Sequence, residues 1–372
     1  MDNRKVEYLG KLPDPFLQED GTRMTPEQWW QKRDQIRQFV VDMEFGGMPP
    51  RPEVVTWKKI NRNVRGSTWY RITAGSKEKQ LSFLLELNIP DSKDPNQIEL
   101  AEGEKFPVLL NGDGCYRSMV DDVIAEANRR GYIAARFNRL EVAPDVADDR
   151  GGLYAIYPDM DFTAMSAWAW AYSVCMDVFE QLPFVDETEV GITGWSRGGK
   201  TVMLAAVTDE RIKYVCPNNS GCHGSASYRV CVTDQGEKNQ RTERLADMLK
   251  TFPDWMGKKL IPYAGREQDL PYDMHYFGAL IAPRYYFQIE GQQDYWINPI
   301  GSWQNILAVR ACYKYLGCED HASAWFRPGA HRHRLEEHTQ FMDFMDRSRK
   351  GLPLAEHWQI NPYPTIEKNF EW

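Results

Sequence analysis

Hydrophobic and polar positions follow two different patterns along the chain, and the pattern changes near residue 105. Before that point a helix is predicted from Thr25-Pro26 towards Met43, because a threonine N-cap precedes a proline at the first helical position. The Gly/Pro-rich stretch 46–52 ends this helix. Three runs with strand character follow, at residues 54–60, 67–73 and 81–89.

From residue 106 onward, short apolar runs alternate with glycine-containing turns and helical patterns. The predicted strands are residues 106–110, 132–137, 190–194, 212–216, 285–290 and 324–327. Helical patterns lie between most of them, for example at 119–130 and 162–182. This alternation predicts a mostly parallel sheet with helices on both faces. Antiparallel strands first and parallel strands afterwards are the layout of the α/β-hydrolase fold, a three-layer α/β sandwich.

One large domain with an N-terminal extension accounts for this organisation. We predict an N-terminal arm and helix over residues 1–52, the α/β-hydrolase domain over 53–350 and a C-terminal tail over 351–372. Residues 232–280 are predicted to form an insertion near the functional site rather than a second domain.

The composition is that of a soluble globular protein, with 26% charged and 42% hydrophobic residues among 372. A formal net charge of −8 and the lack of a basic tract argue against a nucleic-acid partner. No run approaches the roughly 18 consecutive apolar residues of a membrane span. The first ten residues lack the apolar core of a signal peptide. We therefore expect a cytoplasmic protein or a secreted one without its leader.

The seven cysteines cannot all pair with one another, and no C-x-x-C spacing indicates zinc or a redox dithiol. Cys216, Cys222 and Cys231 are close enough in sequence for one local disulfide. Buried free thiols are the alternative, so cysteine usage leaves the cellular compartment open.

The pentad G-W-S-R-G at residues 194–198 fits the G-x-S-x-G pattern of a serine nucleophile. Its glycines permit a sharp turn around a serine in a strained conformation. An apolar strand precedes it and a helical run follows it, which is the context that the motif requires. Ser196 is therefore the candidate nucleophile, and an ordinary turn between a strand and a helix is the alternative.

A serine hydroxyl needs a base to take its proton, and the base needs an acid to orient it. In the α/β-hydrolase fold the acid and then the histidine follow the serine, on turns after later strands. Asp294 lies in the loop after one predicted strand, and His331 and His333 lie in the loop after the next. We favour His331, the first residue beyond the turn, with His333 as the alternative. A metal site on these histidines and His338 is disfavoured, because no carboxylate and cysteine pattern completes it.

The tetrahedral intermediate of acyl transfer also needs hydrogen-bond donors for its oxyanion. The backbone N–H of Arg197 is the usual first donor in this fold, and its guanidinium adds positive charge beside Ser196. The loop N-G-D-G at residues 111–114 is predicted to offer a second donor. For the Arg197 side chain, a surface ion pair is the alternative.

The motifs around these residues resemble those of a known family. G-W-S-R-G-G-K-T-V contains the Ser-Arg-x-Gly-Lys element of the glucuronoyl esterases, which are carbohydrate esterases with an α/β-hydrolase fold. The similar segments also include N-N-S-G-C-H-G-S-A-S-Y-R (218–229), L-P-Y-D-M-H-Y-F-G-A-L-I-A-P-R (270–284), G-Q-Q-D-Y-W-I-N-P and R-P-G-A-H. The resemblance covers most of residues 105–345, and the N-terminal arm is similar to that of bacterial members.

The resemblance implies further substrate-binding residues. Lys200 matches the family lysine that contacts sugar hydroxyls, Trp296 matches the tryptophan that lies against the sugar, and Glu267 is the candidate for the glutamate that contacts the uronate. Arg197 matches the arginine that stabilises the oxyanion. The alternatives are a helix-surface lysine, core packing for the tryptophan and a solvated loop carboxylate.

The chain departs from the family pattern at Asn219. Many members carry the catalytic acid there as a glutamate, and asparagine cannot supply its negative charge. Other members use an aspartate after a later strand, which is the position of Asp294. The resemblance therefore implies a branch without the usual acid glutamate, and it agrees with the assignment of Asp294.

The resemblance implies a serine esterase that hydrolyses the ester between (4-O-methyl)glucuronic acid of glucuronoxylan and an alcohol of lignin, without metal or cofactor. We also expect a monomer and a secreted or periplasmic location, with a cytoplasmic one left open. A carbohydrate acetyl esterase on the same fold and a non-catalytic carbohydrate-binding homologue are the alternatives. A serine peptidase of the prolyl oligopeptidase type is disfavoured, because residues 1–105 are too few for its propeller domain.

Overall fold

The computed structural model describes residues 5–62, 67–90, 105–233 and 241–372. Residues 1–4 of the predicted arm and residues 234–240 of the predicted insertion lie outside the described residues. The strands are β1 (Lys5–Tyr8), β2 (Val54–Arg62), β3 (Ser67–Gly75), β4 (Gln80–Asn88), β5 (Phe106–Asn111), β6 (Ile133–Phe137), β7 (Val185–Trp195), β8 (Tyr214–Asn218), β9 (Val230–Thr233), β10 (Tyr285–Gly291) and β11 (Ala322–Arg327). The α-helices are α1 (Pro26–Phe45), α2 (Asp121–Arg129), α3 (Leu153–Ile156), α4 (Ala164–Phe179), α5 (Arg197–Thr208), α6 (Leu245–Thr251), α7 (His275–Ile281), α8 (Pro299–Tyr315) and α9 (Leu335–Arg349). Within these ranges, no helix combines the length and apolar composition that a membrane crossing requires.

In the described part of the chain, nine strands form one sheet in the order β11-β10-β8-β7-β5-β6-β4-β3-β2. The strands from β11 to β6 pair in parallel. The strands β4, β3 and β2 continue the sheet in antiparallel orientation. The prediction of a mostly parallel sheet with antiparallel strands first in the chain is confirmed, and with it the α/β-hydrolase fold.

Helices cover the sheet on both faces, and strand side chains alternate between two cores. On β5, Val108 and Leu110 belong to the core that contains α4 and α5, whereas Leu109 belongs to the core that contains α2 and α9. This alternation follows from the two-residue period of a strand. All three side chains are fully buried, as expected for a parallel strand that is covered on both sides.

The helix α1 begins and ends where its capping residues require. The Thr25 hydroxyl accepts a hydrogen bond from the Gln28 N–H at 3.3 Å, and the Gln28 side chain accepts one from the Thr25 N–H at 2.9 Å. Gly46 ends the helix with a φ of 69°, a conformation that costs glycine little. The predicted start is confirmed, and the helix continues two residues past Met43 to Phe45.

Segments at both ends of the chain pack against the same sheet-containing body. The strand β1 pairs antiparallel with β9, with Lys5 opposite Thr233, in a small sheet that the sequence patterns did not predict. Asn369 near the C-terminus accepts a hydrogen bond from the Leu12 N–H at 3.0 Å through its carbonyl oxygen. Its side-chain amide donates to the Gly10 carbonyl oxygen at 2.8 Å.

A buried polar cluster connects α1 with loops at the carboxyl ends of the parallel strands. Glu44, near the end of α1, accepts hydrogen bonds from the hydroxyls of Tyr228 and Tyr272 and contacts the His223 ring. The other ring nitrogen of His223 lies 3.1 Å from the Trp255 carbonyl oxygen. Because these groups are buried, their mutual hydrogen bonds hold the loop between β8 and β9 and the segment after β9 against α1.

All seven cysteines are free thiols, and five of them are buried. The local disulfide considered for Cys216, Cys222 and Cys231 is therefore absent. The alternative prediction of buried free thiols applies to all three.

Candidate active site

Ser196 lies in a sharp turn between the end of β7 and the start of α5, with φ 57° and ψ −118°. A non-glycine residue adopts this conformation only at an energetic cost, and such strain is concentrated at functional sites. A Cβ at Gly194 would collide with the Gly198 carbonyl oxygen, and one at Gly198 would collide with the Asp113 carboxylate. The motif therefore needs both glycines, and the strained serine separates this turn from an ordinary turn between a strand and a helix.

The loop 111–114 holds the serine turn in place. The Asp113 carboxylate accepts a hydrogen bond from the Trp195 N–H at 2.7 Å and forms a buried ion pair with Arg139. Within the same loop, the Gly112 N–H donates to the Tyr172 hydroxyl and the Asp113 N–H to the Asn111 side chain, each at 2.7 Å. These two N–H groups already have acceptors, so the second oxyanion donor expected from this loop stays a prediction for its other N–H groups.

Asp294 and His331 meet because their strands, β10 and β11, are parallel neighbours that end at the same edge of the sheet. The Nδ1 atom of His331 contacts the Oδ2 atom of Asp294. The His331 ring also packs against the ring of Trp195, with centroids 4.8 Å apart, which brings the imidazole to the serine turn. The Asp294 side chain is 10% exposed and the His331 side chain 32% exposed, so a ligand can reach the histidine.

His333, the alternative base, is buried away from Asp294. Its Nε2 atom lies 3.3 Å from the Thr193 hydroxyl, and its ring stacks on His338 with centroids 3.9 Å apart. Burial, with His338 as a further cause, lowers the pKa of His333 well below its usual range. The alternative that His333 is the base is therefore wrong, because its imidazole is a buried, neutral group in the protein core.

Asn219, at the position of the usual acid glutamate, forms a hydrogen bond with Asp294. Its side-chain amide Nδ2 donates a hydrogen bond to the Asp294 Oδ2 atom at 2.7 Å, the same oxygen that His331 contacts. The carboxylate oxygen therefore receives two donors when His331 carries its proton on Nδ1.

The Arg197 guanidinium is fixed beside the serine turn by a carboxylate and an aromatic ring. Its Nη1 atom lies 2.5 Å from the Asp145 Oδ2 atom, and the guanidinium lies 4.5 Å from the Trp255 ring centroid. The Trp255 indole N–H donates to the other oxygen of Asp145 at 2.8 Å. The ion pair considered as the alternative is present, and it holds the positive charge of Arg197 in a defined position.

Lys200 lies inside the protein, with 4% of its side chain exposed, so the helix-surface alternative is wrong. Its ammonium donates to the Ser220 carbonyl oxygen at 2.6 Å and to the Cys222 carbonyl oxygen. The third neighbour is the Glu243 Oε1 atom, at 3.5 Å. Burial raises the pKa of Glu243, and the charge of Lys200 opposes that rise.

The structure brings Glu243, not Glu267, to this lysine. Glu267 lies in a short 3₁₀ turn, where its Oε1 atom accepts a hydrogen bond from the Gly265 N–H at 3.2 Å. The Glu243 N–H donates to the Trp296 carbonyl oxygen at 2.7 Å, so the glutamate is joined to the loop that carries Asp294. Sequence reasoning missed Glu243, because its position depends on how the loop after β9 folds back over the strand ends.

The Trp296 side chain is exposed on the loop to which Glu243 is hydrogen-bonded. It keeps 43% of its surface accessible, and the Arg241 guanidinium lies 5.2 Å from the ring centroid. The core-packing alternative for Trp296 is therefore wrong. An exposed aromatic ring next to buried charged groups is an arrangement that suits an amphipathic ligand.

Glu290 is a fully buried carboxyl four residues before Asp294. It accepts hydrogen bonds from the Ser225 hydroxyl at 2.5 Å and the Gln288 amide at 3.2 Å. Burial, with the charge of Asp294 as a further cause, raises the pKa of Glu290 to about 8. In the unfolded chain the pKa is about 4.3. Between these values the folded protein keeps a proton that the unfolded chain releases, so the free energy of unfolding falls as the pH rises.

Glu290→Gln replaces this carboxyl by a neutral amide of the same shape and should remove that part of the pH dependence. We expect urea unfolding to show similar stability for both proteins near pH 4, below the unfolded pKa, and a more stable variant at pH 8. Each pKa unit corresponds to about 1.4 kcal/mol, so the difference should reach a few kcal/mol. The control is Glu78→Gln, at an exposed position. Identical pH dependence of wild type and Glu290→Gln would show that Glu290 does not hold the proton.

Comparison with known proteins places the chain in one family. The sequence model described as "Glucuronyl esterase, fungi" matches residues 72–317. The 4-O-methyl-glucuronoyl methylesterase 1 of Wolfiporia cocos is 28% identical over 349 residues, which cover 91% of this chain and 78% of the relative. The 4-O-methyl-glucuronoyl methylesterase of Schizophyllum commune is 27% identical over 329 residues, covering 87% of this chain and 77% of the relative.

Solved structures agree with this result. The glucuronoyl esterase of carbohydrate esterase family 15 from Caldicellulosiruptor kristjansonii superposes with a TM-score of 0.82 at 25% identity, covering 97% of this chain and 96% of that chain. A mutant glucuronoyl esterase from Sporotrichum thermophile, in complex with methyl 4-O-methyl-β-D-glucopyranuronate, gives a TM-score of 0.76 at 22% identity, covering 97% and 94%. The family model spans more than half of the chain, and the fold agrees throughout. The chain therefore belongs to the glucuronoyl esterase family and is a carboxylic ester hydrolase with the α/β-hydrolase fold.

Proposed function

We propose that the chain hydrolyses the ester between glucuronic or 4-O-methylglucuronic acid of glucuronoxylan and an alcohol, through an acyl-enzyme on Ser196. The proposal rests on one observation: two groups of residues lie next to each other. Glu243 and the exposed Trp296 share a loop contact, and Trp296 follows Asp294 by two positions, next to the His331 contact. An acid–base pair for ester cleavage thus lies beside an aromatic and charged surface for a sugar acid.

In the first step, Ser196 Oγ attacks the uronate carbonyl carbon while His331 takes the hydroxyl proton. Asp294 accepts a hydrogen bond from the His331 Nδ1–H and stabilises the imidazolium. His331 then gives the proton to the leaving alcohol oxygen. A water molecule, deprotonated by the same imidazole, hydrolyses the acyl-enzyme and releases the free uronic acid.

We assign the oxyanion to the beginning of α5. The backbone N–H of Arg197 is among the first N–H groups of this helix, which have no acceptor within the helix, and the helix dipole adds partial positive charge there. The Arg197 guanidinium supplies a second, charged source of stabilisation. Its pairing with Asp145 supports a fixed position, because the charge then needs no reorganisation when the oxyanion forms.

For the uronate, we assign the sugar face to Trp296 and hydroxyl binding to Glu243 and Lys200. Both contacts that the structure gives the Glu243 carboxylate, from the Cys222 N–H at 2.8 Å and from Lys200, fall on Oε1. Its Oε2 atom is the acceptor that we assign to a sugar hydroxyl. Lys200 opposes the effect of burial on Glu243 and thereby helps to keep that acceptor ionised.

Trp296→Ala should raise KM for benzyl glucuronate about tenfold and leave kcat nearly unchanged, because stacking binds substrate and transition state alike. The measurement compares steady-state kinetics of wild type and variant on benzyl glucuronate, methyl glucuronate and an aryl acetate. Hydrolysis of the acetate, which carries no sugar, should not change.

The matched control is Trp30→Ala, which removes another exposed tryptophan, on α1; it should leave KM unchanged. Cleavage of the aryl acetate without cleavage of either uronate ester would overturn the proposal and favour a carbohydrate acetyl esterase. Turnover of none of the three esters would favour a non-catalytic carbohydrate-binding homologue.

The proposal includes a secreted or periplasmic location and a monomeric state. Glucuronoxylan is a polymer that does not cross a cell membrane, so an enzyme that acts on it works outside the cytoplasm.

A further inference from the structure

Arg327, the last residue of β11, has a buried guanidinium that binds both sides of the His331 position. Its Nη2 atom donates to the Ala330 carbonyl oxygen at 2.9 Å and to the Arg332 carbonyl oxygen at 3.1 Å. These carbonyls belong to the residues directly before and after His331. One planar group therefore fixes the backbone on either side of the imidazole.

The position of Arg327 is itself fixed by a buried carboxylate on α9. Glu337 forms an ion pair with the Arg327 guanidinium, and both side chains are fully buried. Glu337 also accepts hydrogen bonds from the Arg332 side chain at 2.6 Å and from the Arg334 N–H at 2.8 Å. The segment 328–334, which we call the base loop, is thus attached to the first turn of α9 and to the end of β11.

The same guanidinium also faces the acid. Its Nη2 atom lies 3.4 Å from the Asn219 Oδ1 atom, and the Asn219 Nδ2 atom donates to Asp294. The two contacts fix the orientation of the amide, with its oxygen towards the cation and its nitrogen towards the carboxylate. Arg327 is thereby connected to both partners of the His331–Asp294 contact.

We propose that Arg327 is a positioning residue for the reaction, which holds the base loop and Asn219 so that His331 faces Asp294 and Ser196. The proposal rests on the function proposed for Ser196, Asp294 and His331. An arginine suits this role because its planar fork offers five donors in fixed directions, whereas a lysine offers one compact charge. Catalysis is sensitive to such placement, since a shift of about 1 Å at a reacting group can cost about 100-fold in rate.

Arg327→Lys keeps the positive charge next to Glu337 and removes the fork. On benzyl glucuronate we expect kcat to fall about 100-fold with little change in KM, because the uronate contacts proposed for Trp296 and Glu243 are untouched. The matched control is Arg284→Lys, which removes another guanidinium that donates to two backbone carbonyls, those of Asp209 and Ile212. A folded Arg327→Lys variant with the same kcat as Arg284→Lys would overturn the proposal.

A second measurement reports on the geometry without turnover. The Nδ1 proton of His331 between imidazole and Asp294 should give a downfield proton NMR signal, assigned by its loss in His331→Gln. We expect this signal to disappear in Arg327→Lys and to persist in Arg284→Lys. Its persistence in Arg327→Lys would overturn the positioning role even if no uronate ester is a substrate, so the two proposals can fail separately.

Should Arg327→Lys not fold, Glu337→Gln tests the same attachment from α9. The amide keeps the shape of the carboxylate and removes the charge that anchors Arg327. We expect a reduced kcat, unchanged KM and a weakened downfield signal. A wild-type kcat together with a wild-type downfield signal would contradict the inference.

Discussion

Ser196→Ala should abolish ester hydrolysis, with kcat falling by about 10⁶-fold, and the variant should keep the wild-type fold. The effect is large because the hydroxyl is the only part of the residue that reacts, and a triad without its nucleophile retains little of the rate. The Ser196 side chain makes no capping hydrogen bond at the start of α5. Its removal therefore leaves the backbone contacts of the turn, such as the Ser196 N–H to the Asn218 carbonyl oxygen at 2.9 Å, in place.

The measurement is the steady-state rate on benzyl glucuronate, with a thermal unfolding curve for each protein. Ser76→Ala, which removes an exposed hydroxyl in the turn between β3 and β4, is the control and should keep full activity. Ser196→Gly offers a second comparison. It should be equally inactive but more stable than Ser196→Ala by about 1 kcal/mol or more, because glycine relieves the strain at a φ of 57°. Activity retained in Ser196→Ala would place the nucleophile elsewhere.

The parts of the fold that the sequence predicts well are those decided by local patterns. The apolar run at 106–110 predicts the strand β5, which spans Phe106–Asn111, because a continuous apolar run suits a strand buried on both faces. The strand β7 begins at Val185, five residues before its predicted start. Its first half is V-D-E-T-E, in which acidic residues interrupt the apolar run that would predict a strand.

Contacts between distant segments could not be predicted in the same way. The pairing of β1 with β9 joins residues more than 220 positions apart, and each strand has only four residues. Such short segments carry too weak a pattern, and their pairing is decided by the packed domain rather than by propensity. The sequence therefore indicated an N-terminal arm without showing where it binds.

The residues of the candidate site fall into the same two groups, those indicated by a local pattern and those that depend on contacts between distant segments. Ser196, Asp294 and His331 could be predicted because each follows a recognisable strand, and parallel strands bring their carboxyl ends together. Glu243 and Arg327 could not, since their roles depend on which carbonyls and carboxylates surround them in space. The motif indicates Glu267 for contact with the uronate, which stays a prediction, whereas only the contact between Lys200 and Glu243 draws attention to the second glutamate.

Asp294→Asn should lower kcat on benzyl glucuronate by roughly 10³- to 10⁴-fold, because the amide cannot stabilise the imidazolium that forms during catalysis. Asn219 donates its amide proton to the oxygen that contacts His331, so the new amide should place its carbonyl oxygen there. The Nδ1–H tautomer of His331 would then survive, and the loss would come from the missing charge.

We therefore predict energetic coupling between positions 219 and 294. Asn219→Gly accommodates the positive φ of 46° at this residue and removes the donor, so by itself it should cost much less than Asp294→Asn. In the Asp294→Asn background it should deepen the loss, because the amide at position 294 can then turn its N–H₂ towards His331 and enforce the wrong tautomer. Steady-state kinetics of the two single variants and the double variant measure the coupling.

Near-full activity of Asp294→Asn would show that another group is the acid. Strict additivity would show that Asn219 does not orient the residue at 294.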